Sequence, residues 1–337
     1  MRNIAFLLML FMFCSCSDSD KQMRIVIEFP TTGELKAEVV TVPVSFLAPR
    51  YMGISGDNLL IHKVREEKLF SIYSLPDLTY VADAGVKGQG PNDFNLLDTR
   101  SFQMTEYGFK VIDANLNMLK DVEIVDNGLS VKESKLLFGQ GVASNGFYPM
   151  GQGCYVAFTQ PDSDKEFAIY DENSGEFSLV ECSYPHWQEL PKDMPAFMAY
   201  LKTCVAHPDG RRFAAFYGRY KRWRLFDDSM KLIGDIDVRI APHKADATLV
   251  GTEQPTYYIG QPYATDKYIY VLCSNKNTDK DGRSELQVWD WEGNPVACYT
   301  FDRKLSLMAV CEKYNRIYGV DNLIENQIFV YNLSMLD

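Results

Sequence analysis

The sequence predicts an all-β fold, a six-bladed β-propeller closed by an N-terminal strand that joins the last blade. Three observations predict it: a strand-like run that recurs six times, turn signals that separate the copies, and a high aromatic content. The copies are Leu59-Leu60-Ile61, Phe109-Lys110-Val111-Ile112, Cys154-Tyr155-Val156-Ala157-Phe158, Arg212-Phe213-Ala214-Ala215-Phe216, Tyr268-Ile269-Tyr270-Val271 and Arg316-Ile317-Tyr318-Gly319-Val320. They lie 45 to 58 residues apart, close to the length of a four-stranded blade. Aromatic residues make up 13% of the 337 positions, and flat side chains suit a pleated, half-buried surface. Two β-sandwich domains of about 150 residues each are the alternative reading of the same alternation.

A second run follows most copies and ends in an aromatic plus a small polar residue: Ile72-Tyr73-Ser74, Ile169-Tyr170-Asp171, Leu225-Phe226-Asp227, Val288-Trp289-Asp290 and Val330-Tyr331-Asn332. The aromatic is expected between blades, and the polar residue is expected to open an Asx-type turn to the outer strand. Blade two departs from this rule, running from Met118 to Val125 without an aromatic. Pro208-Asp209-Gly210, Asn173-Ser174-Gly175 and Glu292-Gly293-Asn294 each separate two strand candidates. The last copy runs out of strands near Leu333, while Glu38 to Val44 is a strand with no blade of its own. Pairing the two would close the ring and cover exposed edges.

The N-terminus reads as a processing signal. Met1-Arg2-Asn3 is a short cationic start, and Ile4 to Phe13 is an unbroken apolar run. That run is too short to span a bilayer, which needs about 20 residues, but it fits the apolar region of a signal peptide. Phe13-Cys14-Ser15-Cys16 then matches a lipobox, with a large apolar residue three positions before Cys16 and a small one directly before it. The expected division is a signal peptide over 1–15, a lipid anchor at Cys16 with a flexible tether to residue 35, and one propeller over 36–337. Ser17-Asp18-Ser19-Asp20-Lys21 gives the tether a polar start. More than one acyl chain at Cys16 would make the attachment firm.

The formal charge is −11, and removing residues 1–15 takes away Arg2 and no carboxylate, leaving −12. Such a chain is a poor nucleic-acid binder, since phosphate neutralisation needs clustered Lys and Arg. Beyond Cys16 the cysteines are Cys154, Cys182, Cys204, Cys273, Cys298 and Cys311. None has CxxC metal spacing, and most sit in apolar runs where a thiol acts as a small hydrophobe. Mostly free, buried thiols are expected.

Gly88-Gln89-Gly90-Pro91-Asn92-Asp93-Phe94 is similar to a Gly-x-Gly-Pro-Gly-Glu-Phe/Tyr stretch, departing from it at Asn92 and Asp93. His207-Pro208-Asp209-Gly210-Arg211 is similar to a Pro-Asp-Gly hairpin. On these motifs, the lipobox and the six repeats, the chain resembles the six-bladed TolB-like β-propeller lipoproteins of Bacteroidota over nearly its whole length. The resemblance implies the propeller fold and an outer-membrane address, and the Ser- and Asp-rich start after Cys16 resembles signals that place such lipoproteins at the cell surface. It implies no catalytic residues.

Signals for catalysis are sparse. The four histidines are His62, His186, His207 and His243, with no GxSxG elbow and no HExxH helix. The Gly88–Phe94 stretch lacks the Lys or further Gly of a phosphate loop and is expected to be an interblade turn. Asn277, Asp279, Asp281 and Gly282 imitate the opening of a calcium loop, but Val288 stands where the bidentate Glu belongs, so a solvated hairpin tip is expected. No catalytic residue, metal or cofactor is assigned.

Long segments between blades, 182–203 and 239–260, together with the basic Arg219–Arg224 turn and the Gly88–Phe94 turn, are expected on one face. Long structured loops on a rigid scaffold are where function concentrates. The candidate ligand contacts there are Phe94, His186, Trp187, Tyr200, Arg219, Arg222, Tyr257 and Tyr258. Interleaved Arg and aromatics can grip an acidic sugar by paired hydrogen bonds and stacking. The expected function is that of a membrane-anchored binding propeller for a glycan, peptide or outer-membrane protein. A carbohydrate hydrolase or lyase using channel carboxylates is one alternative, and a structural part of an outer-membrane assembly is another.

Overall fold

A computed structural model describes residues 23–126, 128–137, 146–249, 253–258, 260–276 and 284–333. Cys16 and the calcium-like stretch from Asn277 to Gly282 lie outside the described residues. Three strands come first: β1 (Met23–Val26), β2 (Thr31–Leu35) and β3 (Glu38–Thr41). Blade 1 then runs from its inner to its outer edge as β4 (Pro49–Ser55), β5 (Asn58–Lys63), β6 (Lys68–Ser74) and β7 (Thr79–Val86). Blade 2 holds β8 (Gln103–Met104), β9 (Gly108–Asp113), β10 (Met118–Val125) and β11 (Gly128–Leu136). Blade 3 holds β12 (Phe147–Pro149), β13 (Cys154–Phe158), β14 (Phe167–Asp171) and β15 (Glu176–Leu179).

After a one-turn helix at Ala196–Ala199, blade 4 holds β16 (Lys202–Ala206), β17 (Arg212–Tyr217), β18 (Arg222–Asp227) and β19 (Leu232–Val238). Blade 5 has a split inner strand, β20 (Thr256–Tyr258) and β21 (Tyr263–Ala264), followed by β22 (Tyr268–Lys276), β23 (Glu285–Asp290) and β24 (Pro295–Phe301). Blade 6 holds β25 (Leu307–Cys311), β26 (Arg316–Val320) and β27 (Gln327–Asn332). The fold is therefore a ring of six sheets and not a pair of sandwiches. Each recurrent run of the sequence is the second strand of its blade, and each aromatic run is the third.

The N-terminal segment is laced around three blades. β1 pairs in parallel with β19, from Met23 opposite Asp235 to Val26 opposite Val238. β2 pairs in parallel with β24, from Thr31 opposite Ala297 to Leu35 opposite Phe301. β3 pairs antiparallel with β27 and supplies the outer strand of blade 6. This corrects the expected tether, because the chain is already in strand conformation at Met23. Val26 and Phe29 are buried against blades 4 and 5 and Leu35 against blades 5 and 6, an apolar gain that a free linker would forgo.

The third-strand aromatics Tyr73, Tyr170, Phe226, Trp289 and Tyr331 are all buried. Between blades 4 and 5, Trp223 meets Trp289 edge-on at 5.1 Å and stacks on Phe216 at 5.0 Å. The outer turns are built by aspartates. The Asp290 carboxylate accepts from the backbone of Glu292 at 3.0 Å and Asn294 at 2.7 Å, and Asp227 does the same for Ser229 and Lys231. In the turn from His207 to Arg211, Gly210 has φ +78° and sits so close to the Met150 carbonyl that a Cβ would lie 1.8 Å from it. Only glycine fits there.

The described cysteines are all unpaired; Cys204, Cys273 and Cys311 are buried, while Cys154, Cys182 and Cys298 are half-buried. Burial pushes the Cys182 thiol up to about 11 and Cys273 up to about 12, so both remain protonated and unreactive at neutral pH.

Candidate functional site

The innermost strands of all six blades surround an axial cavity of about 420 Å³. Its wall takes Tyr51 and Met52 from β4, Gln103 and Met104 from β8, and Tyr148 and Pro149 from β12. Val205 and Ala206 of β16, Tyr263 and Ala264 of β21, and Leu307 and Met308 of β25 complete it. The polar and charged residues added at its ends are Arg100, Thr105, Lys110, His207 and Gln261. Among the described residues the wall contains cations but no carboxylate, in a chain whose net charge is −11.

Arg100 is the best-positioned of these cations. Asp98 is buried in the loop before β8 and accepts from the Arg100 backbone at 3.2 Å, from Arg100 Nε at 2.9 Å and from the Phe147 backbone at 3.0 Å. The carboxylate thus fixes the root of the Arg100 side chain and ties blade 2 to blade 3. Gly146, with φ +73°, lets the guanidinium lie close, since a Cβ there would meet Cζ at 2.6 Å. Burial works against the Arg100 charge, but Asp98 and Tyr148 outweigh it and hold the guanidinium above its ordinary value. Among the described residues its two terminal nitrogens have no hydrogen-bond partner, so they are available to a ligand.

Aromatic surface lies beside these donors. Tyr51 and Phe102 stack with centroids 4.2 Å apart and planes 8° from parallel. His207 contributes its ring flank only. Its Nδ1 accepts from the Asp209 backbone at 3.1 Å, its Nε2 lies 2.7 Å from Arg211 and 3.1 Å from the Asp266 carbonyl, and its ring meets Trp291 edge-on. A narrower cleft of about 190 Å³ between blades 2 and 3 shares Gln103, Lys110 and Gly151 with the cavity. It is lined by Asp121, Glu133 and Glu172. Lys110 lies 3.6 Å from Asp121 and Lys135 lies 3.1 Å from Glu172. Among the described residues no three His, Cys, Asp or Glu groups converge as a metal site would require.

The residues predicted from the sequence divide between core and loop face. Phe94 is buried at the start of blade 2, edge-on to Phe70 at 5.6 Å and under Lys120 at 5.3 Å. It lies in the interblade turn expected for Gly88–Phe94, where the Asp93 carboxylate accepts from the Gly90 backbone. Tyr200, Tyr257 and Tyr258 are also buried. Tyr200 stacks on Tyr220 at 5.4 Å, Tyr257 donates to the Lys244 carbonyl, and Tyr258 donates to Gln287 at 2.9 Å. These four side chains build the loops and present no free edge to a ligand.

Trp187 and Arg222 do meet at blade 4. The Arg222 guanidinium lies 4.2 Å over the Trp187 ring, and Trp187 Nε1 donates to Asp235 at 3.0 Å. Arg222 itself donates to Asp235 at 2.7 Å, so its charge is already matched. Arg219 donates to the Ala247 carbonyl, and Gln188 accepts from both Tyr220 and the Ala247 backbone. These bonds lock the three loops together. His186 stands apart, exposed at the rim of an open depression between blades 3 and 4.

Sequence reasoning missed the axial set of Arg100, Gln103, Lys110 and Gln261. The available signal was positional: the innermost strand is one hairpin upstream of each recurrent run, so residues before those runs, such as Gln103, face the axis, whereas Lys110 lies within a run on the second strand.

The chain matches no family model and no curated protein. Among solved structures it is similar to a member of the DUF4221 family from Bacteroides vulgatus, with 13% identity, a TM-score of 0.58, and coverage of 89% of this chain and 97% of that one. It is also similar to a Bacteroides fragilis protein described as a candidate exported protein, with 12% identity, a TM-score of 0.49, and coverage of 91% and 99%. A third is the β-propeller domain of Cps50 (Swd1) from Myceliophteria thermophila, with 11% identity, a TM-score of 0.45, and coverage of 88% and 99%. At these identities the likeness is one of fold alone. The chain is a six-bladed β-propeller, and its own residues line the ring's axis with cations.

Proposed function

We propose that this chain is an exported lipoprotein, anchored through Cys16, whose propeller binds a small acidic sugar in its axial cavity. The observation that carries the binding reading is the cavity wall, which holds no carboxylate among the described residues and where Arg100, held through Nε by Asp98, presents two terminal nitrogens with no hydrogen-bond partner among the described residues. An arginine fork matches a carboxylate or sulfate. Gln103 and Gln261 supply amides suited to hydroxyl groups, and the tyrosines supply apolar surface. The volume of about 420 Å³ suits one or two sugar rings. Export and anchoring are supported by the apolar run from Ile4 to Phe13, the lipobox ending at Cys16, and the TolB-like motifs. The loops around Trp187 and Arg222 serve in this reading as the rigid shoulder of the ring.

The test is calorimetric titration with glucuronate, galacturonate and glucose 6-sulfate, with glucose as the neutral control. The acidic sugars should bind and glucose should not. Arg100→Met should weaken acid binding by roughly 10- to 100-fold, the value of hydrogen bonds to a charged group. Equal binding of glucose, or unchanged binding by Arg100→Met, would overturn the assignment.

A further inference from the structure

We propose that the outer edge of blade 4 rests on the lipid surface, so that the propeller lies on its side against the membrane. The proposal rests on the reading of Cys16 as the anchored residue. Its own observation is a stripe on β1 and just beyond it: Met23, Ile25 and Ile27 are 48%, 47% and 69% exposed. Side chains two apart share one face of a strand. On the opposite face Val26 is buried, while the exposed Arg24 donates to the Glu292 carbonyl at 2.8 Å. Among the described residues, none of these three large apolar side chains belongs to a hydrophobic core cluster.

The occupant follows from chain length. Six residues lie between Cys16 and Met23, which makes seven Cα-to-Cα steps, and a chain extends at most about 3.6 Å per step. Met23 is therefore held within about 25 Å of the acylated residue, whatever path the intervening residues take. β1 is itself fixed to β19 by four paired positions, so the anchor is attached to blade 4 and not to the ring as a whole. The surface nearest the lipid is the surface that carries the stripe. A bilayer interface accepts Met and Ile side chains and needs no shape match.

The experiment uses the full-length lipidated protein in phosphatidylcholine vesicles whose acyl chains carry bromine, a contact quencher of tryptophan. Ile27→Trp and Ile25→Trp are compared with Leu323→Trp, placed in the exposed turn between β26 and β27 of blade 6. The parent carries four tryptophans, with Trp223, Trp289 and Trp291 buried and Trp187 half-buried on blade 4, so quenching of the parent protein is measured alongside and subtracted. The proposal expects the added emission at positions 25 and 27 to be largely lost on brominated vesicles and that at 323 to be kept. No loss at 25 and 27, or equal loss at all three, would overturn it. Mass spectrometry of the N-terminal peptide separates the two readings. An acylated Cys16 with no quenching of the Ile27→Trp variant rejects the side-on placement alone, whereas a Cys16 without acyl groups rejects the anchor and the placement with it.

Discussion

Glu166 is the most consequential buried charge in the ring. It precedes β14 in blade 3 and is wholly buried, yet its partners belong to blade 4. Lys202 lies 2.9 Å from one oxygen, Arg224 lies 3.4 Å from the other, and Tyr217 donates at 2.7 Å. The Lys202 ammonium is also enclosed by Phe158, Phe167, Tyr184 and Tyr217, with ring centroids 4.9 to 5.8 Å away. Arg224 has a second carboxylate, Asp235 at 3.6 Å, whereas Glu166 is the only carboxylate bridged to Lys202 among the described residues. Glu166→Ala therefore strands a buried ammonium, and breaking one side of a buried pair costs about 3–5 kcal/mol. With an unfolding entropy of about 2.1 cal/mol/K per residue, a propeller of about 310 residues loses about 1.5 °C in Tm per kcal/mol. The expected drop is about 5–8 °C, read by differential scanning calorimetry. Adding Lys202→Met to Glu166→Gln should recover much of the loss, since the stranded charge is gone. A Tm for Glu166→Ala within about 2 °C of the parent, or a double variant that loses the sum of the two single losses, would refute the reasoning.

Two further predictions concern stability. His62 is buried in blade 1 against Phe70 and Phe102, and burial together with Arg50 lowers its pKa from 6.5 to about 4. Above pH 6.5 the ring is neutral in both states; below it the unfolded chain takes up the proton and the folded chain does not. Stability is thus lost as pH falls from 6.5 towards 4, by about 3 kcal/mol for this residue. His62→Leu should flatten that part of the urea-midpoint profile, and an unchanged profile would reject the assignment. Phe29 links β1 to β2 and meets Trp289 edge-on at 4.9 Å; Phe29→Ala should cost about 3–5 kcal/mol and speed amide exchange in residues 23–35 ahead of the blades. Uniform acceleration throughout the ring would show that the strap does not open separately.

The ring was legible in the sequence because second and third strands are buried on both faces and repeat their apolar pattern six times. The axial cavity was not. Three of its wall strands are very short, with two residues in β8, three in β12 and two in β21, too few to show a period. The basic run from Arg219 to Arg224 was visible, but its meaning was not. Arg222 stands opposite Asp237 and Arg224 opposite Asp235 on β19, so a pattern that reads as a positive patch along the chain is balanced across the sheet. Phe94, Tyr200, Tyr257 and Tyr258 were picked for loop position, and position alone cannot separate an aromatic that holds a loop in place from one that meets a ligand. The lacing of residues 23–35 was hidden for a related reason: short parallel edge strands owe their conformation to partners more than 200 residues away.

That lacing sets an order of events. Arg24 pairs with Ile236, Thr32 with Cys298, and Val40 with Ile328. A chain delivered from its N-terminus exposes these strands first, yet each successive one must wait for a partner nearer the other end. Loop-closure entropy makes such long-range pairing slow. Blades 1 to 3 can assemble from neighbouring hairpins while β1, β2 and β3 are still bare. The β3–β27 pairing that completes blade 6 is the final contact, made only when β27 has been synthesised. A chain halted before Gln327 would leave β3 with nothing to pair with, so closure of the ring reports that synthesis has passed β27.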